Sequence, residues 1–520
     1  DYGHIRNVYG TLLADLSIRQ DLSALTKGLA AEASVSFDNI GGMNETTNKE
    51  YRYMNSNASI TSDGTLVTTP AIYGTDSETL GHTQPFERLM LRSDFQAKVD
   101  YNRTFGKHQV GGALIYDMQS VVKNGRNNSQ KNQSVLVNAT YTYDNRYSLN
   151  AVFNRSGSAY LPDGDKYSNY PAVSAAWIVS NEAFMEKVTP INLFKIRASY
   201  GLSGWDGNLS HELWRQSYGS GGAGYNFGVN AGGQSGGSEG DLPVIGLVAE
   251  KSQKATFGFD LAAFDNRLNA TVEGFYEKRS DILVSGANST SGIIGITVGQ
   301  VNEGIYKYKG VDASLSWNDK IGDFHYGIGA SMSYLNTEVV NVNQAYQEYD
   351  YLYTKGNRIG QMYGLEAIGF FNSQQEINNS PQQTFSDVAP GDVKYKDQNG
   401  DNRIDEKDVV KMFGSSVPRF YFGFNLNFSY KRLELSADFQ GMTGVTVSLL
   451  NSPLYSPLVS NGNISNTFLN EEISWTPENK TNATMPRLTT QENLNNYRAS
   501  SLWYRDGSFL KLRNLLVAYT

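Results

Sequence analysis

Hydrophobic and polar residues alternate with a period of two along much of this chain. After Leu91, one parity holds Ser93, Phe95, Ala97, Val99 and Tyr101, while Arg92, Asp94, Gln96, Lys98 and Asp100 hold the other. Successive side chains of a strand point to opposite faces, so the segment predicts a strand with one greasy and one charged side. Ala31, Ala33, Val35 and Phe37 alternate in the same way with Glu32, Ser34 and Ser36. In three places the alternation turns back on itself. Val135, Val137, Ala139, Tyr141 and Tyr143 pass through Asp144, Asn145 and Arg146 into Tyr147, Leu149, Ala151 and Phe153. Phe257, Phe259, Leu261 and Ala263 turn at Asp265, Asn266 and Arg267 into Leu268, Ala270 and Val272; Phe422, Phe424, Leu426 and Phe428 turn at Lys431 and Arg432 into Leu433, Leu435 and Ala437. Each is predicted to be a tight hairpin, and the whole chain to hold about fifteen strands.

A two-faced strand fits either a sandwich, with its apolar side inward, or a lipid-embedded barrel, with that side outward. The connections favour the barrel. Several turns close in about two to four residues, whereas 39–87, 202–253, 279–309, 340–419 and 441–508 read as long loops. Short turns at one end and long loops at the other are the pattern of outer-membrane barrels. Tyr141, Tyr143, Tyr147, Phe264, Tyr276 and Tyr430 fall near strand ends, where an interfacial aromatic girdle would lie.

Composition narrows the alternatives. In 520 residues there are 33 Tyr, 24 Phe and 51 Gly but only 13 Pro, a mixture suited to strands and turns. Mean hydropathy is −0.43 and no run of about eighteen apolar residues occurs, which argues against a spanning helix and leaves a barrel open. Cysteine is absent, so there is no disulfide framework or thiolate metal site. A net charge of −8 makes nucleic acid a poor partner. His4, His82, His108, His211 and His325 are scattered, and are expected in loops or turns. The glycine-rich run from Gly219 to Gly240 lacks the Lys-Ser or Lys-Thr of a phosphate cradle, so it reads as a flexible loop. No acid/base pair can be assigned, and no catalysis is expected.

One motif carries metal chemistry. As a twelve-position calcium loop, the segment beginning at Asp397 puts oxygen side chains at positions 1, 3, 5, 9 and 12 with Asp397, Asn399, Asp401, Asp405 and Asp408, and the Arg403 carbonyl at position 7. Ile404 is the apolar residue at position 8. Asn402 stands where glycine is usual, and asparagine tolerates positive φ. Asp408 is shorter than the usual closing glutamate. The bland alternative is an exposed Asp/Asn/Gly turn; the spacing leads to the expectation of a structural Ca2+ that stiffens the long loop. For organic ligands, Trp205, Trp214, Tyr218, Tyr225 and Phe227 stand among Gly and Ser in 202–253, where they could stack on sugar rings, grip peptide side chains, or pack the loop on itself.

Tyr170 to Ser180 with Phe194 to Gly201, Leu261 to Tyr276 with Asp281 to Leu283, Val301 to Gly304, Lys309 to Asp312, Pro390 to Asp397, Pro418 to Gly423, Phe439 to Gly441, and Asp506 to Asn514 with Ala518 to Thr520 form a series of ordered blocks. In that order they resemble the SusC-like family of TonB-dependent outer-membrane transporters. The resemblance implies an all-β fold: residues 1–520 would be a transmembrane antiparallel β-barrel region, part of a barrel of about 22 strands with long extracellular loops. Residues 390–410 would be a calcium-loop-like insertion in one such loop. The N-terminal plug and the last strands of the family are expected to be absent from this chain. The implied function is uptake of oligosaccharides or peptides across the bacterial outer membrane, energised by the TonB complex through the plug and capped by a SusD-like surface lipoprotein. A passive porin or a surface adhesin or assembly scaffold are the alternatives.

Overall fold

The computed structural model describes residues 3–60, 65–123, 129–226, 233–286, 293, 295, 298–450, 452, 473–489 and 492–519. Strands dominate, and the largest sheet has 16 of them, paired antiparallel. The chain divides into two compact units: Asp1–Thr140 with Val152–Tyr170 and Leu209–Leu213, and Tyr141–Ala151 with Pro171–Asn208 and Trp214–Thr520.

In the first unit, β1 (Gly3–Asp21), β2 (Leu29–Asn48), β3 (Phe86–Phe105) and β4 (His108–Val122) are successive antiparallel neighbours. The register aligns Arg19 with Glu32 and Glu32 with Lys98, and the charged parity forms a ladder. Arg19 reaches Glu32 at 3.0 Å and Asp100 at 3.1 Å, Lys98 reaches Asp100 at 3.4 Å, and Arg92 reaches Asp94 at 2.8 Å. On the other parity Leu16, Ile18, Val35, Phe37 and Val99 are exposed. Apolar side chains thus face outward while carboxylates are partly covered, the reverse of a sheet in water and the arrangement a lipid-facing wall requires.

Next along the chain come β5 (Gln130–Tyr143), β6 (Tyr147–Ser158) and β7 (Tyr167–Ile178). The second unit continues with β8 (Ile191–Trp205), β9 (Glu250–Ala263), β10 (Leu268–Ser285), β11 (Gln300–Ile321), β12 (Phe324–Asn341), β13 (Phe420–Tyr430), β14 (Leu433–Thr443) and β15 (Phe509–Tyr519). From β8 onward each pairs antiparallel with the next. The tight turns fall where expected. Asp144 and Asn145 have φ of 51° and 53°, Asp265 and Asn266 have 58° and 63°, and Lys431 has 53°. Such left-handed residues match the twist of a two-stranded hairpin, and Asn and Asp reach them with least strain.

The segments read as long loops differ from expectation. β2 runs to Asn48, and Tyr53–Ile60 pairs with Leu66–Tyr73 as a separate hairpin. β8 and β9 extend into 202–253, and the glycine-rich run is itself a hairpin of Tyr218–Asn226 and Gly233–Glu239 rather than an unstructured loop. β10 and β11 likewise extend into 279–309, to Ser285 and from Gln300. His4, His82, His108 and His325 lie in strands, and only His211 in a turn. Alternation marks a strand only where its two faces meet different surroundings; a polar ribbon can still pair through its backbone with no such pattern.

Candidate functional site

The described residues of 340–419 and 441–508, separate loops on the sequence reading, fold together into a subdomain at the loop side of β12, β13 and β14. Its short strands Ala367–Phe370 and Val393–Tyr395 pair, bringing Leu365, Val393, Tyr395 and Ile404 into one buried cluster. Met485 and Trp503 form a second cluster, packed by Leu449, Leu450, Ile473, Leu488, Tyr497 and Leu502.

A buried carboxylate ties these pieces together. Asp392, fully buried, accepts from Arg487 Nε at 2.7 Å and Nη2 at 3.2 Å, from Asn493 at 3.1 Å, from Asn496 at 2.9 Å and from the Ala389 amide at 2.7 Å. A charge so placed is tolerated because a cation and three further donors surround it. Gly391 next to it has φ of 94°, and a Cβ there would come within 2.4 Å of the Trp475 ring and 2.7 Å of Arg487 Cβ. Burial pushes the Tyr395 phenol well above its ordinary pKa, keeping it a neutral donor to the Asn495 carbonyl at 2.7 Å. The sequence reading missed this hub. Its signal was present in Pro390, Gly391 and Asp392, yet the partners at 487–496 lie about a hundred positions away.

The calcium-like loop lies against the first cluster through Ile404, which is fully buried and pairs in parallel with Gln383. Asp397 accepts from the amides of Gly400 at 2.7 Å and Asn402 at 2.9 Å, and Asn402 has φ of 62°, so the chain makes the sharp turn anticipated at position 6. Asn399 accepts from the Asp401 amide, Asp401 from Arg403, and Asp405 from Lys407. Asp408, fully buried, accepts from the amides of Gln398 at 2.7 Å and Asp405 at 2.8 Å and so closes the loop. The carboxylates are therefore engaged with the loop's own backbone, and among the described residues no group of three Asp, Glu, His or Cys is arranged to hold a metal.

The described aromatics of 202–253 lie on different elements. Trp205 ends β8 and is exposed, Trp214 lies half-buried with the Arg215 guanidinium 4.3 Å from its ring, and exposed Tyr218 opens the glycine-rich hairpin. Tyr225 lies in the same hairpin strand, and Phe227 falls outside the described residues. Among the described residues Trp205, Trp214 and Tyr218 make no ring contact with one another. A denser polar surface, also missed, runs along the wall. Arg197 pairs with Asp260 at 3.4 Å and with Glu273, and Lys195 reaches Asp260 at 3.5 Å. Further along, Arg279 lies between Glu277 at 2.6 Å and Glu250 at 3.8 Å, 4.8 Å from the Tyr308 ring. These residues occupy the parity opposite exposed Phe257 and Tyr276, so alternation could have located the row though not its pairings.

Comparison with known proteins agrees with this geometry. Residues 5–451 match the family model described as TonB dependent receptor-like, beta-barrel. TonB-dependent receptor P26 of Formosa agariphila is 29% identical over 390 residues, covering 73% of this chain and 38% of that protein; receptor P3 of the same organism is 26% identical over 474 residues, covering 81% and 44%. SusC of Bacteroides thetaiotaomicron is 21% identical over 405 residues, covering 73% and 37%. The chain thus spans less than half the length of these curated relatives. Among solved structures, the RagAB peptide transporter superposes with a TM-score of 0.69 at 17% identity, covering 99% of this chain and 56% of that one, and shares its fold.

Proposed function

The chain belongs to the TonB-dependent receptor β-barrel family of the bacterial outer membrane, a family of transporters and not of enzymes, and from that premise we propose that it forms part of the wall of a SusC- or RagA-like nutrient importer. The observation that carries the reading is the family match across 5–451, joined to a wall whose apolar parity is exposed and whose charged parity is paired. The whole protein would be energised by TonB and would work with a SusD-like surface lipoprotein over its loop side. The solute is an oligosaccharide or a peptide; paired charges, Tyr308 and the exposed loop aromatics offer contacts to either. Uptake of labelled oligosaccharides and peptides by cells carrying the complete protein, with and without the proton-motive force, tests it. Dependence on that force supports active import, indifference selects a passive porin, and no uptake selects an adhesin or scaffold.

The same reading includes a structural Ca2+ in the loop from Asp397 to Asp408. The oxygen spacing, the positive φ of Asn402 and the Asp397 bond to its amide support it. The amide bonds to Asp401 and Asp405 each use one carboxylate oxygen, which leaves the other to join Asp397, Asn399, Asp408 and the Arg403 carbonyl around the ion. Calorimetric titration with calcium should give a heat that the Asp401→Ala variant loses; equal heats would sink it.

A further inference from the structure

Beyond Phe420, the first residue of β13, which pairs with Tyr334, a second segment takes over beside β12. The Leu335 amide donates to the Arg419 carbonyl at 2.8 Å, the Ile359 amide to the Thr337 hydroxyl at 3.1 Å, and the Val339 amide to the Asn357 carbonyl at 2.8 Å. This arrangement lays Arg358 beside the approach to β13, and its Nη2 donates to the Val417 carbonyl at 3.0 Å, two residues before Arg419. Its Nε is buried with no hydrogen-bond partner. Burial, and then the neighbouring positive charge of Arg419, lower the Arg358 pKa from its ordinary value.

Arg19, Arg197, Arg267, Arg279 and Arg487 each have a carboxylate within ion-pairing distance. Among the described residues Arg358 and Arg419 have none, as is also true of several exposed arginines; Arg358 differs from those in being half-buried with an orphaned donor. A half-buried guanidinium with a like-charged neighbour and no carboxylate is costly, and an anion bound beside the two arginines would offset the unbalanced charge.

We propose that Arg358 and Arg419 form a receptor for an oxyanion group, a carboxylate, sulfate or phosphate carried by a solute or by a lipid headgroup. The planar fork of arginine offers paired N–H donors that match such oxygens, as a lysine would not. This site stands independently of import, because it is read by binding.

The complete protein in detergent is unfolded by heat in sodium sulfate and in sodium chloride of equal ionic strength. Sulfate stabilises proteins generally, so the reading is the difference between variants. Wild type should gain more from sulfate than Arg358→Gln or Arg419→Gln, and apparent sulfate affinity should fall about tenfold or more in either. Without sulfate, Arg419→Gln should melt higher than wild type, since it removes the repulsion. Lys355→Gln, an exposed charge change in the same segment, should behave as wild type. The same variants in phosphatidylglycerol and phosphatidylcholine nanodiscs separate the sources. An Arg358-dependent gain with phosphatidylglycerol identifies a lipid headgroup, and one with sulfate alone identifies a solute. Equal responses across all variants, or an equal loss in Lys355→Gln, would overturn the proposal.

Discussion

The wall and the loop-side subdomain obey opposite rules of burial within one chain. In the wall, Phe257 is 63% exposed while Arg197 is tied to Asp260 and Glu273. In the subdomain, Trp503 is 0% exposed and the clusters around Tyr395 and Met485 resemble the core of a water-soluble protein. The hydrophobic effect acts in both. What differs is where water lies: lipid receives the apolar parity of the wall, whereas the subdomain, bathed in water, must bury its apolar groups against themselves.

The largest test is at Asp392. Asp392→Ala leaves Arg487 without its carboxylate and should cost the subdomain about 3–5 kcal/mol. Proteolysis and amide exchange should rise in 360–419 and 473–506 while β8 to β14 stay protected; loosening of wall and subdomain together would break the comparison. A second test places one substitution in both surroundings. Phe257→Arg should cost up to about 2–4 kcal/mol in lipid vesicles, by urea unfolding. Ile368→Arg, at a comparable 52% exposure in the subdomain, should stay within about 0.5 kcal/mol. Equal costs would show that the exposed wall face does not meet lipid.

The smallest effect is a pH dependence confined to the subdomain. The Asn372 amide at 2.8 Å and Lys394 at 3.0 Å hold the Glu376 carboxyl below its ordinary range. A carboxylate with a depressed folded pKa stabilises above its unfolded pKa, and that stability fades as pH falls through the lowered folded value. The contribution is under about 1 kcal/mol because the group is partly solvated. Amide exchange of 372–396 should therefore quicken between pH 5 and pH 3 in wild type and change less in Glu376→Gln; an identical change in both would rule out Glu376 as the cause.

How far the sequence could be read depended on the range of the interactions. The hairpin turns at Asp144, Asp265 and Lys431 were legible because both the turn chemistry and the alternation are local. The extensions of β2, β8, β10 and β11 were not, because their outer parts hold strand structure by backbone pairing without an apolar rhythm. At the calcium-like loop the spacing and the turn at Asn402 could be read, while the use of Asp408 as a backbone acceptor emerged only from three-dimensional contacts.

Period-two alternation and tight-turn residues determined by themselves that this chain builds an antiparallel wall with one apolar and one charged parity, since both signals act between near neighbours. Only the tertiary structure decided that two apparent loops form one cored subdomain around Asp392, and that Arg358 lies by Arg419 with no carboxylate among the described residues. Those arrangements join residues about sixty to a hundred positions apart, where loop closure and packing, not local pattern, select the partner.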